Sequence, residues 1–274
     1  MSKRVSEEAA FVLHRYDWSE SSLILEVFSR HHGRLALVAK GVKKPTSQFR
    51  PVLLPLQPLS LSWGGDAEVR TLKSAQWQGG HVMPTGDALM AGSYLNELLM
   101  RLLARDDPHP VLFDHYALAV ELLAERSDAT QLVLRAFELL LLRSVGLLPD
   151  LGREGSSLAV LDPDQAYTLR PEAGLSPLAD EEAGQGLTGA QWLALDAAMS
   201  ARDAFLATLR ASMPVHTALR TQTRSLLHYH SGVRVFRTRQ LMLDVQAMGR
   251  ASSVLSPSDP AGPVVRPDAS SPLP

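Results

Sequence analysis

The first third of the chain carries short apolar runs separated by glycine-bearing or polar turns. In the run at 34–41, apolar residues at 35, 37 and 39 alternate with less hydrophobic ones, with an exception at 38, as in a half-buried strand. The turn before this run contains Gly33, and two runs joined in this way are typical of a hairpin. The runs predicted as strands are 11–16, 22–29, 34–41, 56–63 and 67–77.

The pattern changes to a helical period near residue 87. Leucines between Leu89 and Leu103 fall on one broad face, as in an amphipathic helix, and Asp87 is its predicted N-cap. Pro108 and Pro110 separate this helix from the next. The segments predicted as helices are 87–105, 111–125, 129–146, 188–199, 213–230 and 236–245.

Two segments lack a regular period. Residues 149–186 are rich in Gly, Pro, Asp and Glu and are predicted as an irregular insertion, whereas the Pro/Ser-rich tail at 251–274 is predicted to be disordered. The fold class is therefore α+β, with an N-terminal β-barrel over 1–80 followed by a mainly helical domain over 81–250. Five strands in about 75 residues are the strand count and size of an OB-fold.

The charge is distributed unevenly along the chain. The formal net charge is only −2, but residues 1–75 hold 11 basic and 7 acidic side chains, a balance of +4. Residues 210–250 hold seven arginines and one aspartate, whereas residues 149–203 hold ten acidic side chains and three arginines. A near-neutral total of this kind is compatible with local affinity for phosphate.

The first candidate site for phosphate is the end of the third predicted strand with the loop that follows it. It carries Lys40, Lys43, Lys44 and Arg50, and Arg34 and Lys73 add positive charge on the strands. These residues are predicted to bind DNA phosphates, although an ordinary solvated loop explains the same lysines equally well. Aromatic residues that could stack on the bases of a single strand are Tyr16, Trp18, Phe28, Phe49 and Trp63, with Phe28 better placed in the core.

The chain lacks the sequence patterns of common enzymes and cofactor sites. No GxSxG elbow, phosphate-binding P-loop or dinucleotide GxGxxG follows a strand, so we expect a non-enzymatic protein without a cofactor. The His228–Tyr229–His230 sequence is a weak metal signal, because a metal site needs three or four converging ligands. No cysteine is present, which excludes disulfides and thiolate zinc sites and fits a reducing compartment.

The N-terminus has no signal peptide pattern, because Glu7 and Glu8 interrupt the place where such a peptide is apolar. No stretch approaches the roughly 18 uncharged apolar residues of a membrane span. We therefore expect a cytoplasmic protein that does not interact with membranes.

The order of these motifs resembles the RecO family of recombination mediators. The resemblance rests on Trp18–Ser19–Glu20 after the first strand, Gly33–Arg34 at the hairpin, and the string Val38–Ala39–Lys40–Gly41. It continues through segments 93–103, 134–146 and 227–242 and covers roughly residues 9 to 245. No single motif is diagnostic, but the ordered set is specific.

This resemblance implies a function in recombinational DNA repair. The family binds single- and double-stranded DNA, anneals complementary strands and helps to load RecA, indirectly, onto DNA coated by single-strand binding protein (SSB), together with RecR. Carried over, Arg34, Lys40, Lys43 and Lys44 would contact DNA, and Arg135 on the central helix would hold the carboxylate end of the SSB tail beside a pocket of leucines. The location implied is the nucleoid.

The chain departs from one feature of the family. Many members carry a four-cysteine zinc site after the central helix, and the corresponding stretch here has neither cysteine nor histidine. The resemblance therefore implies no metal site in this chain.

Two other interpretations remain at this point. In one, the helical domain is an adaptor that docks SSB or RecR, and DNA contact is incidental. In the other, the barrel serves an RNA- or ribosome-associated function, since OB-folds bind many ligands.

Overall fold

The computed structural model describes residues 4–80, 82–178, 186–233, 235–238 and 240–241. Five strands come first: β1 (Arg4–Asp17), β2 (Leu23–Ser29), β3 (Gly33–Ala39), β4 (Leu59–Gly64) and β5 (Val69–Trp77). They close into a barrel in the order β1-β2-β3-β5-β4, with β3 and β5 parallel and the other neighbours antiparallel. The predicted OB-type barrel is thus confirmed.

β1 begins at Arg4, seven residues before its predicted start at 11. This polar first half pairs with β4 from Arg4 opposite Gly64 to Ala10 opposite Leu59, with a bulge between Val5 and Glu8. Backbone pairing closes the barrel here, so the strand needs no apolar alternation, and the hydrophobic pattern missed it.

The barrel has two apolar faces. Inside it, side chains such as Val12, Leu25 and Leu37 form one buried cluster. On the outside, Phe11 and Phe28 belong to the core of the helical domain. The prediction that Phe28 is a core residue is therefore confirmed, because its side chain is fully buried.

The helices of the second region are α1 (Gly86–Leu102), α2 (Pro110–Glu125), α3 (Thr130–Ser144), α4 (Gly189–Met199), α5 (Ala204–Ser212) and α6 (His216–Ser231). The central helix α3 is buried along most of its length and packs against α2, α5 and α6. Helix α5 was not predicted. The N-cap of α1 is Thr85 rather than the predicted Asp87, which lies in the first turn, where a carboxylate interacts favourably with the helix dipole.

The insertion at 149–186 is not irregular where it is described. It contains β6 (Ala166–Arg170) and β7 (Gly174–Pro177), which with β8 (Leu187–Thr188) form a small sheet in the order β7-β6-β8. The Gln222 amide oxygen of α6 accepts hydrogen bonds from Leu169 N at 2.8 Å and Thr168 Oγ1 at 3.1 Å. Strands of two to five residues are too short to produce a readable alternation, so the sequence did not reveal them.

The last predicted helix, 236–245, is only partly described. Residues 237, 238, 240 and 241 are helical. The remainder of that prediction, and the tail at 251–274, lie outside the described residues.

Candidate nucleic-acid interface

Most of the predicted basic residues lie at one end of the barrel because of the direction of the strands. β1, β3 and β5 run in the same direction, so residues 18–22, residues 40–58 and the last residue of β5 lie at the same end. We call this the basic end and define it by its six cationic side chains, Arg15, Lys40, Lys43, Lys44, Arg50 and Lys73. Arg15, near the end of β1, is the one member that was not predicted from the sequence to bind phosphate.

Lys40 directly follows β3, and Lys73 lies on the neighbouring strand β5. In the parallel pair, Val38 is opposite Thr71, and each lysine follows two residues later on its own chain segment. Both lysines are exposed. Two neighbouring ammonium groups repel each other, so an anion between them is favoured.

The loop that carries Lys43 is held by hydrogen bonds. Lys43 N donates to Ser21 O at 3.0 Å, and its Nζ donates to Ser19 O at 2.9 Å and pairs with Asp17 at 2.6 Å. Lys43 therefore joins the two loops of the basic end, and part of its charge is compensated. Lys44 and Arg50 are exposed and make no side-chain ion pair with any residue in the described part of the chain.

A pocket of about 230 Å³ opens beside Lys43. Its polar rim is formed by Arg15, Lys43 and Arg50, and its apolar wall by Leu23, Val42 and Leu53. Arg15 Nη1 donates to Leu53 O at 3.4 Å, which holds the arginine at this rim. The arrangement offers cationic donors around an apolar surface.

The aromatic candidates differ in exposure. Trp18 is 66% exposed and Tyr16 is 43% exposed, so both present ring surface to solvent at the basic end. Trp63 is buried inside the barrel and Phe49 packs against the same core, so the prediction that Trp63 stacks on bases is wrong for this structure. Trp77, the last residue of β5, is half exposed at the basic end. It was not among the predicted stacking residues, although its position at a strand end is a signal that could have identified it.

The structure places Arg34 away from this surface. Its guanidinium pairs with the buried carboxylate of Glu26 at 3.3 Å, and Arg105 from the helical domain pairs with the same carboxylate. A buried carboxylate needs such partners, because an unpaired one is strongly destabilising. Arg34 therefore serves the junction between the barrel and the helices and is not part of the basic end.

Arg135 is buried on α3. Its Nη2 lies 2.6 Å from Glu138 Oε1, and Tyr94 and Thr223 donate to the same carboxylate, each at 2.9 Å. Burial, with the nearby Glu138 charge, raises the pKa of Tyr94, so its hydroxyl stays protonated as a donor. The guanidinium thus already holds a carboxylate of its own helix, and a tail carboxylate would have to displace Glu138. The SSB-tail role of Arg135 stays a prediction.

The described residues contain no group of three His, Asp or Glu side chains that could hold a metal ion. None of the helices in the described ranges is both long enough and apolar enough to span a membrane. Acidic side chains at the basic end are Asp17, paired with Lys43, and Glu20. Positive charge therefore dominates this surface.

These features define the protein as an OB-barrel protein with a helical C-terminal domain and a basic barrel end. Family models for the N-terminal and C-terminal domains of recombination protein O match residues 1–80 and 83–239. The chain therefore belongs to the RecO family, and its role lies in DNA repair and recombination.

Individual relatives agree with this family. The chain is 62% identical over 248 residues to the DNA repair protein RecO of Polaromonas sp. (strain JS666 / ATCC BAA-500), an alignment that covers 90% of this chain and 99% of that protein. It is also 62% identical, with the same coverage, to the RecO of Polaromonas naphthalenivorans. The RecO of Variovorax paradoxus is 61% identical over 254 residues, covering 89% of this chain and 98% of that protein.

Proposed function

We propose that this protein binds single- and double-stranded DNA through the basic end of its barrel and anneals complementary strands. The observation that carries the proposal is the convergence of six cationic side chains from β1, β5 and the loop after β3 on one end of the barrel. Lysine and arginine on one surface release counterions from the phosphate backbone, which drives binding without regard to sequence.

The annealing step follows from charge neutralisation. Two complementary strands repel each other, and a positive surface that holds both lowers this repulsion. Base pairing supplies the specificity, so no side chain has to read a base. On this proposal the protein is not an enzyme and needs no cofactor.

The proposal extends to partners. The protein would work with RecR and the C-terminal tail of SSB to help load RecA onto SSB-coated DNA in the cytoplasm, at the nucleoid. Helix α3 supports a tail site only if the Arg135–Glu138 pair opens, since Glu138 occupies the guanidinium in this structure.

The direct test compares annealing and DNA affinity of the wild type with Lys40→Gln/Lys44→Gln/Lys73→Gln. A matched control, Arg101→Gln/Arg126→Gln/Arg202→Gln, removes the same number of exposed charges from the helical domain. We expect only the first variant to lose annealing. Each lost phosphate contact should also flatten the slope of log affinity against log salt by about 0.7 for a single strand.

The rival is an adaptor in which the helical domain docks SSB or RecR and DNA contact is incidental. It predicts that the lysine variant still anneals SSB-coated strands at the wild-type rate. It also predicts that wild-type affinity for naked DNA barely changes over a tenfold range of salt. Either result would reject the basic end as the functional surface.

The RNA interpretation is tested in the same assay. Oligoribonucleotides and oligodeoxyribonucleotides of equal length and sequence compete for the wild type at one salt concentration. The DNA-repair proposal expects RNA to have no advantage, and a clear preference for RNA would contradict it.

A further inference from the structure

The pocket at the basic end differs from the surrounding surface in having an apolar wall. Val42 and Leu53 are almost fully buried and Leu23 is half-buried, so the wall is fixed by the barrel core. Its volume of about 230 Å³ corresponds to on the order of eight water molecules. Phosphate contacts alone do not require such a concavity, because lysines on a convex surface serve them equally well.

The rim of the pocket has unused donor capacity. A guanidinium carries five N–H donors, and the one hydrogen bond that the Arg15 side chain makes to the described residues is from Nη1 to Leu53 O. Arg50 is exposed and makes no hydrogen bond or ion pair with the residues that the structure describes. Lys43 is the member of the rim that already has an acidic partner, Asp17.

Apolar wall and cationic rim together match the two halves of a nucleotide. An extruded nucleobase can pack its ring against apolar side chains, and its phosphate accepts charge-assisted hydrogen bonds from arginine. We propose that this pocket holds one unstacked nucleotide of a single strand, an inference that rests on the proposed DNA-binding role of the basic end. Arg15 and Arg50 bind the phosphate, and the base packs on the apolar wall, chiefly on the half-buried Leu23.

The pocket would discriminate between single strands and duplexes. In a duplex the base stays paired and stacked, and extruding it costs a few kcal/mol. In a single strand the bases are unpaired, so no base pair has to be broken for a base to enter the pocket. The cationic surface outside the pocket, with Lys40, Lys44 and Lys73, would then bind both forms, whereas the pocket adds affinity for the single strand alone.

Trp18 provides a local optical probe. It lies in the loop that ends at the pocket wall, since Trp18 N donates to Ser22 O at 3.3 Å and Leu23 follows Ser22. Trp63 and Trp192 are buried, so in a Trp77→Phe background the exposed indole is that of Trp18. Its fluorescence should respond to a base entering the pocket.

The test measures the affinity of the full chain for three 15-nucleotide probes at one salt concentration: oligo(dT), an abasic strand with the same phosphates, and a duplex. The variant is Arg15→Gln/Arg50→Gln, and the control of equal charge is Arg126→Gln/Arg202→Gln. We expect wild type to prefer oligo(dT) over the abasic strand by about tenfold, as one well-held base provides. The variant should lose this preference, and the control should keep it.

Four other outcomes contradict the pocket. If the variant weakens all three probes by the same factor, Arg15 and Arg50 are general phosphate contacts, and the pocket falls while the DNA-binding proposal stands. If wild type does not distinguish oligo(dT) from the abasic strand, or Trp18 fluorescence responds equally to both, no base enters the pocket. If wild type binds none of the probes, the proposed function itself falls.

Discussion

Three donors converge on the carboxylate of Glu138, which is almost fully buried in the helical domain. They are the guanidinium of Arg135, the hydroxyl of Tyr94 and the hydroxyl of Thr223. A charge in the interior is tolerated only when such partners replace water, and removal of one member leaves the other unpaired. The Glu138 carboxylate on α3 is therefore hydrogen-bonded to both α1 and α6.

Removal of Glu138 tests this pair. We expect Glu138→Ala to lower the free energy of unfolding by about 3–5 kcal/mol, because Arg135 is left as an uncompensated buried charge. The double variant Arg135→Met/Glu138→Leu should recover much of this loss. Urea unfolding measures both, and Asp128→Ala, which breaks an exposed pair with Arg126, should change little. A double variant as unstable as Glu138→Ala would contradict the account.

His115 on α2 gives stability a pH dependence. Burial lowers its pKa below the ordinary value of 6.5, although the neighbouring Asp114 opposes the shift. The unfolded chain therefore takes up the proton first, so stability should fall as pH decreases below about 6.5 and level off once the folded form is protonated. His115→Phe, which keeps a ring beside Phe205, should remove this part of the slope.

The measurement for His115 is the urea midpoint of both proteins across about pH 5 to 8. The difference between the two curves isolates this one histidine from the others. Parallel curves would show that His115 does not contribute. The variant should be the less pH-sensitive protein, and the reverse order would contradict the sign of the shift.

At the scale of elements, the barrel was largely readable from the sequence. Strands β2, β3 and β4 carry apolar runs because most of their residues are buried, and the β2–β3 turn carries a glycine. The first half of β1 and the strands β6 to β8 were not readable, since backbone pairing to distant segments defines them and leaves no period. Helix α5 follows α4 after only four residues and was not predicted, because it is too short to show a clear helical period.

The candidate site could be predicted only in part, because its composition depends on strand pairing. The basic residues after β3 can be recognised by their charge. The strand register, which cannot be derived from the sequence, decides which further basic residues lie at the same end of the barrel. It brings Lys73 beside Lys40 and Arg15 beside Lys43, and it places Arg34 at the domain junction. Burial of Trp63 likewise depends on which face of β4 turns inward.

The turn between β2 and β3 makes a close approach that only glycine permits. Gly33 has a φ of +66°, and a Cβ there would lie 2.1 Å from the backbone oxygen of Asp107 in the α1–α2 connection. Gly33→Ala should therefore destabilise by more than the roughly 1–2 kcal/mol of a left-handed alanine. Gly79→Ala is the matched control, because Gly79 has a φ of +72° and open space around it. Equal losses in thermal unfolding would mean that the approach relaxes freely.

At the scale of the whole molecule, the barrel and the helices share one apolar core. The ring centroids of Phe11 and Phe28 on the barrel lie 4.9 to 6.1 Å from the ring centroids of Phe113 and Tyr116 on α2. Ion pairs surround this contact, with Arg105 bound to Glu26 and Glu68 of the barrel, and Asp106 bound to Arg70 at 2.6 Å. The basic end is therefore held at a fixed orientation to the helical domain.

A shared core predicts a single cooperative unfolding transition. In a Trp192→Phe background, the buried Trp63 reports on the barrel by fluorescence, while circular dichroism at the helical wavelength reports on the second domain. We expect the two curves to coincide in urea. Phe28→Ala should shift both together by about 3–5 kcal/mol, because this ring is buried in the joint core.

If instead the fluorescence transition preceded the dichroism transition, or Phe28→Ala moved only one curve, the barrel would fold apart from the helices. The basic end would then be free to reorient on DNA, whereas coincident curves would mean that DNA bound there has a fixed position relative to any partner docked on the helices.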